Sequence, residues 1–524
     1  MKYILVLILA YLYAGGLFAQ KVIFLHFNDE HGNYPGIIKD DGKIHSMTHL
    51  AAWVETIKFR NRGTKVFLTF GGDMNSGTPE SDEMDARADV HLMNFIGVDV
   101  AVLGNHEFDK PISVLDEQLH RSSFPWICSN VYYKDKRDFI LPYQVISAGK
   151  YKIAFVGMVT RHTEKIGNPS VISALEFTRP LEEYQNISAT LQNRVDAFVV
   201  LSHLGNYPAK DGKREIPDDY DDEITFLEKA PKDKLILLLG GHSHDLVAEH
   251  THGIPVMQSE CCLKYLSLAE FEFSETEKPR LVRMESIPLN QYPPEFYRND
   301  SWWNEYLRKK TEGAEKITRF YLDGVGHKFN KIIGSTQVSL EQEKGHHLRS
   351  STPLGNFIAD SQKELTGADA AIMNAGGIRR DLPLGDIKVR NVISILPFKN
   401  PIGIVEMTGQ ELRDILFQEI VVNQEGGGFP QVSGMEIEAV IESREIHIFI
   451  GGRALDMEKK YTVAINSYLA NGGMGYPNFV EQKRFQTDGL MDYRLLQSYI
   501  EKIVDITVPM YEQKWQSPRI RIKK

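Results

Sequence analysis

Five short apolar runs in the first half of this chain each end directly in a cluster of acidic, amide or histidine side chains. Val22-Ile23-Phe24-Leu25-His26-Phe27 leads into Asn28-Asp29-Glu30-His31-Gly32, and Val66-Phe67-Leu68-Thr69-Phe70 into Gly71-Gly72-Asp73. Val98-Asp99-Val100-Ala101-Val102-Leu103 leads into Gly104-Asn105-His106-Glu107-Phe108-Asp109. Ala197-Phe198-Val199-Val200-Leu201 leads into Ser202-His203-Leu204-Gly205, and Leu235-Ile236-Leu237-Leu238-Leu239 into Gly240-Gly241-His242-Ser243-His244-Asp245. Short bounded apolar runs of this kind read as buried strands. In α/β sheets, functional groups gather just beyond the carboxyl ends of the strands. A lone Asp or His there is usually a turn or cap residue. Five such ends together bring Asp, His and Asn to one rim, which is what a metal site requires.

A length of 524 residues implies two or more domains. Charged residues make up 25% and apolar residues 42%, an ordinary soluble composition. The net charge of −10, from 60 basic and 70 acidic residues, argues against a nucleic-acid duplex as partner. It leaves a small anionic ligand open, because metals and a few arginines set the local field. Lys2 followed by the apolar stretch Tyr3–Phe18 and the small residue Ala19 reads as a signal peptide over residues 1–19. The expectation is therefore an exported protein, periplasmic or extracellular, with no stable membrane anchor. Cys128, Cys261 and Cys262 have no metal-ligand spacing and read as small buried apolar residues. Oligomeric state leaves no mark in the sequence.

Ser46–Phe59 and Ala86–Ile96 read as helices between the first strands. This alternation, continuing to about Asn290, predicts a sheet with helices on its outer faces. A Pro-containing linker follows at Pro288–Pro294, then an amphipathic helical connector over Trp302–Phe329. A second α/β domain begins near Ile332, with a helix over Thr352–Leu365 closed by Gly367. The expected boundaries are 20–295 for the first domain, 296–331 for the connector and 332–524 for the second.

Hard and borderline divalent metals take carboxylate oxygen and imidazole nitrogen. Asp29 and His31 stand two apart at one strand end. Asp73 follows a Gly pair that leaves its carboxylate open to bridge two ions. Asn105 offers a neutral amide oxygen, and His203, His242 and His244 complete the set. Seven ligands around one shared carboxylate suit two metals roughly 3.5–4 Å apart. His106 and Asp109 form a separate pair. A turn would bring the carboxylate to the imidazole and keep it cationic, able to stabilise phosphoryl charge or protonate a leaving group.

These segments resemble the calcineurin-like metallophosphoesterase signature. With the second domain included, the chain resembles the secreted 5′-nucleotidase / UDP-sugar hydrolase family over nearly all of its mature length. The resemblance implies a four-layer αββα metallophosphoesterase domain, a linking helix and a C-terminal α/β substrate-binding domain. It assigns Asp29, His31, Asp73 and His244 to one metal, and Asp73, Asn105, His203 and His242 to the other. His106 and Asp109 match the family's catalytic dyad. The position of His244 is often Gln in related enzymes. The metals are Zn, Mn or similar, and the sequence does not choose among them.

In the second domain, Asn374-Ala375-Gly376-Gly377-Ile378-Arg379 combines glycines that permit close backbone approach with donors suited to an anion. The resemblance implies that Asn374, Gly376 and Arg379 contact substrate phosphate, with Arg349 as a second cation. It also implies that Phe398 and Tyr468 sandwich a nucleobase. One position departs from the family: Gly472-Gly473-Met474-Gly475 has Met where relatives commonly carry an Asp that holds the ribose hydroxyls. The expected activity is a 5′-nucleotidase that releases phosphate by in-line attack of metal-bound hydroxide. UDP-sugar hydrolase and 2′,3′-cyclic-nucleotide phosphodiesterase are the alternatives within the fold. A non-catalytic secreted binding protein is the alternative of another class.

Overall fold

The computed structural model describes residues 19–36, 44–135, 137–208, 221–298, 301–342 and 345–523. The expected leader lies outside the described residues except for Ala19. Among the described residues no helix is long and apolar enough to cross a membrane. The chain divides into two compact units. The first runs to Asn75 and continues over Met84–Thr163 and Ala174–Tyr321; the second holds Ser76–Glu83, Glu164–Ser173 and Leu322–Lys524.

The first unit contains two six-stranded sheets. In spatial order one is Arg280–Pro288, Tyr265–Phe273, Gln20–Phe27, Lys65–Phe70, Val100–Val102 and Trp126–Ile127. The other is Leu246–Thr251, Ile254–Ser259, Leu235–Leu239, Ala197–His203, Tyr151–Val159 and Tyr143–Ala148. The central strands of both are parallel. Side chains alternate across each strand, so Ala197, Val199 and Leu201 meet Phe24, Phe67 and Val100 in the core between the sheets. Phe198 and Val200 point the other way, onto Tyr184, Leu191, Phe226 and Leu227 of the covering helices. Both faces are buried, which is why these strands read as unbroken apolar runs. On the first sheet's side, helix Met47–Arg60 packs on helix Arg87–Ile96, giving four layers, αββα. Ser46 caps the first of these helices at the His49 amide.

Two local departures from the sequence reading matter. The strand expected to stop at Leu201 runs on through His203, so this histidine is a strand residue and not a loop residue. The alternation of strand and helix ends before Leu246. From there to Pro288 four strands follow without an intervening helix. His252 and Gly253, at φ 50° and 84°, make a two-residue turn that returns Leu246–Thr251 directly onto Ile254–Ser259.

The connector is one 28-residue helix, Trp302–Phe329, and the division between units falls within it. The second unit has a five-stranded sheet in the order Pro430–Ser433, Ala370–Asn374, Lys460–Asn466, Pro401–Thr408, Phe485–Met491. Helix Pro353–Thr366 packs on it, capped by Thr352 at the Gly355 amide and ended by Gly367 at φ 72°. The fully buried strand Ala370–Asn374 delivers Asn374 at its carboxyl end.

Candidate active site

Asp29, His31, Asp73, His242 and His244 all sit at positive φ, between 49° and 87°. Non-glycine residues avoid this region, and such strain is retained where surrounding structure and function demand it. The loops interlock through their backbones. The Asp29 amide donates to Gly72 O at 2.9 Å and the His31 amide to Asp73 O at 3.1 Å. The His242 amide donates to Asp29 Oδ2 at 3.0 Å. A Cβ at Gly72 (φ 86°) would lie 2.6 Å from the Gly104 nitrogen, and one at Gly104 would lie 2.2 Å from Asp73 Oδ1. Only glycine permits that approach.

The side chains converge in two groups that could each hold a metal ion. Asp29, His31, Asp73 and His244 form one, and Asp73, His203 and His242 the other, with the ligand atoms of each within 4.8 Å of one another. Asp73 belongs to both. His31 Nδ1 lies 2.9 Å from Asn75 O and His203 Nδ1 lies 2.7 Å from Gly71 O. Donating there leaves Nε2 as the inward nitrogen. His203 Nε2 is 3.0 Å from Asp73 Oδ2 yet outside hydrogen-bond geometry. His31 Nε2 is 3.1 Å from His244 Nε2. Asn105 Oδ1 is buried with no hydrogen-bond partner. Acceptor atoms aimed at one another, plus an orphaned buried carbonyl, fit a divalent cation better than they fit a hydrogen-bonded protein interior.

Electrostatics agree. Burial opposes ionisation of Asp29, but His244 and His203 beside it hold its pKa down to about 2. Burial likewise opposes the Asp73 carboxylate, and His203 and His106 hold it well below its ordinary value. Burial lowers the His203 pKa, and the Asp73 and Asp29 carboxylates outweigh this and raise it to about 10. The protonated ring there does what a cation between the same carboxylates would do. Burial pushes His31 down to about 4 and His242 to about 3, so both offer lone pairs at neutral pH.

His106 lies beside this cluster in the turn Asn105–Phe108. Its Nδ1 is 2.6 Å from Asp109 Oδ2, and its amide donates to Asp73 Oδ1 at 2.9 Å. The His106 and His31 rings are 5.2 Å apart between centroids.

Three buried polar residues received no role from the sequence. Asn28 Nδ2 donates to Asp29 Oδ2 at 2.6 Å. The Glu107 carboxylate accepts the amides of Gly104, Asp73 and Met74 at 2.6, 2.9 and 2.8 Å. Burial raises its pKa to about 7. Burial does the same for Glu223, twenty residues beyond the His203 strand end. Asn28 adjoins Asp29 and Glu107 adjoins His106 in the quoted motifs, and both were findable there; Glu223 carried no local signal.

In the second unit, Asn374 Oδ1 accepts from Asn466 Nδ2 at 2.8 Å, and the Gly376 amide donates to Gly427 O at 2.9 Å. A Cβ at Gly376 would lie 3.0 Å from Gly427 Cα, so this glycine serves a close approach between protein backbones. The Arg379 guanidinium lies 5.9 Å from the Phe398 ring centroid. His347 is pushed down to about 4, first by burial and also by the Arg379 cation. Arg349 lies two residues from His347 and is exposed. The Tyr468 hydroxyl donates to the carbonyls of Lys165 and Ile166 at 3.0 and 3.2 Å. Met474 sits at φ 55°, with its methyl group over Gly427.

A two-sheet αββα unit with Asp, His and Asn gathered at its strand ends defines a calcineurin-like phosphoesterase. The calcineurin-like phosphoesterase family pattern matches residues 23–246, and that of the 5′-nucleotidase C-terminal domain matches residues 332–481. Protein UshA of Escherichia coli (strain K12) is 30% identical, with 95% of this chain and 94% of that protein covered. The 5′-nucleotidase of Vibrio vulnificus (strain CMCP6) is 30% identical over 93% of this chain and 91% of its own length. The crystal structure of a 5′-nucleotidase precursor from Thermus thermophilus shares the fold, with a TM-score of 0.78 at 22% identity, covering 96% of this chain and 99% of that one. The chain belongs to the 5′-nucleotidase family and is a metal-dependent phosphoric ester hydrolase.

Proposed function

We propose that this protein is an exported 5′-nucleotidase that releases phosphate from nucleotides. Asp29, His31, Asp73 and His244 hold one divalent metal ion, and Asp73, Asn105, His203 and His242 hold a second. Two such ions, Zn, Mn or similar, supply Lewis acidity and a water acidified enough to act as nucleophile near neutral pH. The protein's own groups do the rest. Asp109 occupies His106 Nδ1, at 2.6 Å, which leaves proton and charge chemistry to Nε2. Asn374, Gly376 and Arg379, with Arg349, bind the substrate's anionic end, and Phe398 and Tyr468 its base. Export rests on the Lys2 to Ala19 leader pattern.

The observation that carries this reading is the pair of ligand clusters sharing Asp73 beside the His106–Asp109 pair. The test is His106→Ala, measured for turnover of AMP and for bound metal. Turnover lost at full metal content supports His106 as a non-ligand catalytic residue; metal lost in proportion to activity contradicts it.

Met474 favours a second reading within the same chemistry. A thioether packed over Gly427 offers no acceptor to ribose hydroxyls. A 2′,3′-cyclic nucleotide, whose ribose hydroxyls are already esterified, then becomes the better substrate, and comparison of AMP, UDP-glucose and 2′,3′-cyclic AMP separates the two.

A further inference from the structure

Glu223 is fully buried at the start of helix Glu223–Lys229, and it joins two strand ends that carry ligand residues. Its Oε1 accepts from Ser202 Oγ at 2.6 Å, and Ser202 directly precedes His203. Its Oε2 accepts from Gln258 Nε2 at 2.9 Å and, more weakly, from Asn206 Nδ2 at 3.4 Å. Gln258 passes the connection on: its Oε1 accepts from Ser243 Oγ at 2.9 Å, and Ser243 lies between His242 and His244. The Asn206 amide donates to the same Ser243 hydroxyl at 3.2 Å, which closes the ring of contacts. A Cβ at Gly240 would fall 1.8 Å from Glu223 Oε1, so the carboxylate presses on the backbone where the His242–His244 loop leaves its strand.

A buried carboxylate without this set of donors would be costly. Its three side-chain donors come from two chain segments, Ser202 and Asn206 at the end of one strand and Gln258 on another. We propose that Glu223 is a positioning residue that fixes the Ser202-His203 strand end against the His242-Ser243-His244 loop, so that three metal-ligating histidines keep their mutual spacing. The inference rests on the metal reading above and adds a residue to it. Outer contacts of this type around metal ligands are worth about 10–100-fold in metal affinity.

The geometry distinguishes substitutions. In Glu223→Gln the amide nitrogen takes the Oε1 position and donates to the Ser202 hydroxyl, while the amide oxygen keeps the Gln258 and Asn206 donors. Glu223→Ala loses every contact. Ser243→Ala removes the hydroxyl's contacts with Gln258 and the Asn206 amide and leaves the direct donors to Glu223 in place.

The test is zinc binding by the full-length protein after chelation, measured by competition with a chromophoric chelator, with circular dichroism to establish folding. Wild type is expected to bind zinc, Glu223→Gln to stay within about threefold of it, and Glu223→Ala to lose about tenfold or more. Ser243→Ala, at a partly exposed position, is expected to bind several-fold more weakly than wild type, and it tests the network should Glu223→Ala fail to fold. Folded Glu223→Ala and Ser243→Ala proteins with wild-type zinc affinity would overturn the proposal and leave the metal reading intact. Glu223→Gln as weak as Glu223→Ala would overturn the hydrogen-bond basis. Wild type that takes up neither zinc nor manganese would overturn both readings.

Discussion

Asp109 Oδ2 stands 2.6 Å from Nδ1 of His106, three residues away in the chain, and only about a tenth of either side chain is exposed. The contact fixes the imidazole orientation beside the Asp73 cluster. His106→Ala should lower kcat by about 10²–10⁴-fold. Asp109→Asn should cost less, about 10–100-fold, because the ring remains and only its anchoring weakens. Steady-state kinetics on AMP, with metal content measured on the same samples, checks both.

Asp73 is common to both ligand clusters, whereas His203 and His242 belong to one. Asp73→Ala should therefore remove more metal than His203→Ala, which should spare the cluster of Asp29, His31 and His244. Inductively coupled plasma mass spectrometry after metal loading reads the difference directly. Equal losses in the two variants would contradict a shared carboxylate.

Met474 occupies a left-handed conformation, at φ 55°, that Asp tolerates better than most non-glycine residues. Met474→Asp should be accepted by the backbone and should raise kcat/KM for AMP relative to p-nitrophenyl phosphate, which has no ribose. An unchanged ratio would show that another group already serves the ribose hydroxyls.

Glu411 gives a pH signature remote from the metal centre. The Arg484 guanidinium beside it, at 2.7 Å, and the Thr408 amide lower its pKa from the ordinary 4.5 to about 2. A carboxyl held lower in the folded state contributes stability above pH 4.5, and loses it as pH falls from 4.5 towards 2. The pair is partly exposed, so the contribution after solvent screening is about 0.5–1 kcal/mol. Glu411→Gln should thus unfold more readily than wild type at pH 7, with the gap narrowing towards pH 3. Denaturation midpoints of the two proteins across that range measure it.

Much of the architecture was legible because its strands are buried on both faces. Val199 and Val200 face different cores, so their run carries no polar interruption, although the strand itself continues two residues past the run's apolar end, through His203. Ser46, Thr352 and Gly367 likewise marked helix ends through capping chemistry local to the chain. What escaped was non-local. Glu223 meets Ser202 and Gln258 across 21 and 35 residues, and nothing at position 223 foretells either partner. The left-handed backbone at Asp29, His31, Asp73, His242 and His244 is held by interlocked loops, and residue types that tolerate it do not by themselves call for it. The segments Ser76–Glu83 and Glu164–Ser173 fall with the second unit although the sequence places them among the strands of the first. There Arg390 meets Glu80, a pairing across 310 residues.

The most direct test of the whole account is product release by the purified protein from a panel of AMP, UDP-glucose, 2′,3′-cyclic AMP and p-nitrophenyl phosphate, read as inorganic phosphate and as the nucleoside monophosphate formed, run after chelation and again after zinc or manganese is restored. The account predicts no release after chelation and recovery with metal, strongest from AMP. Release that survives chelation, or none from any ester with either metal, would contradict it.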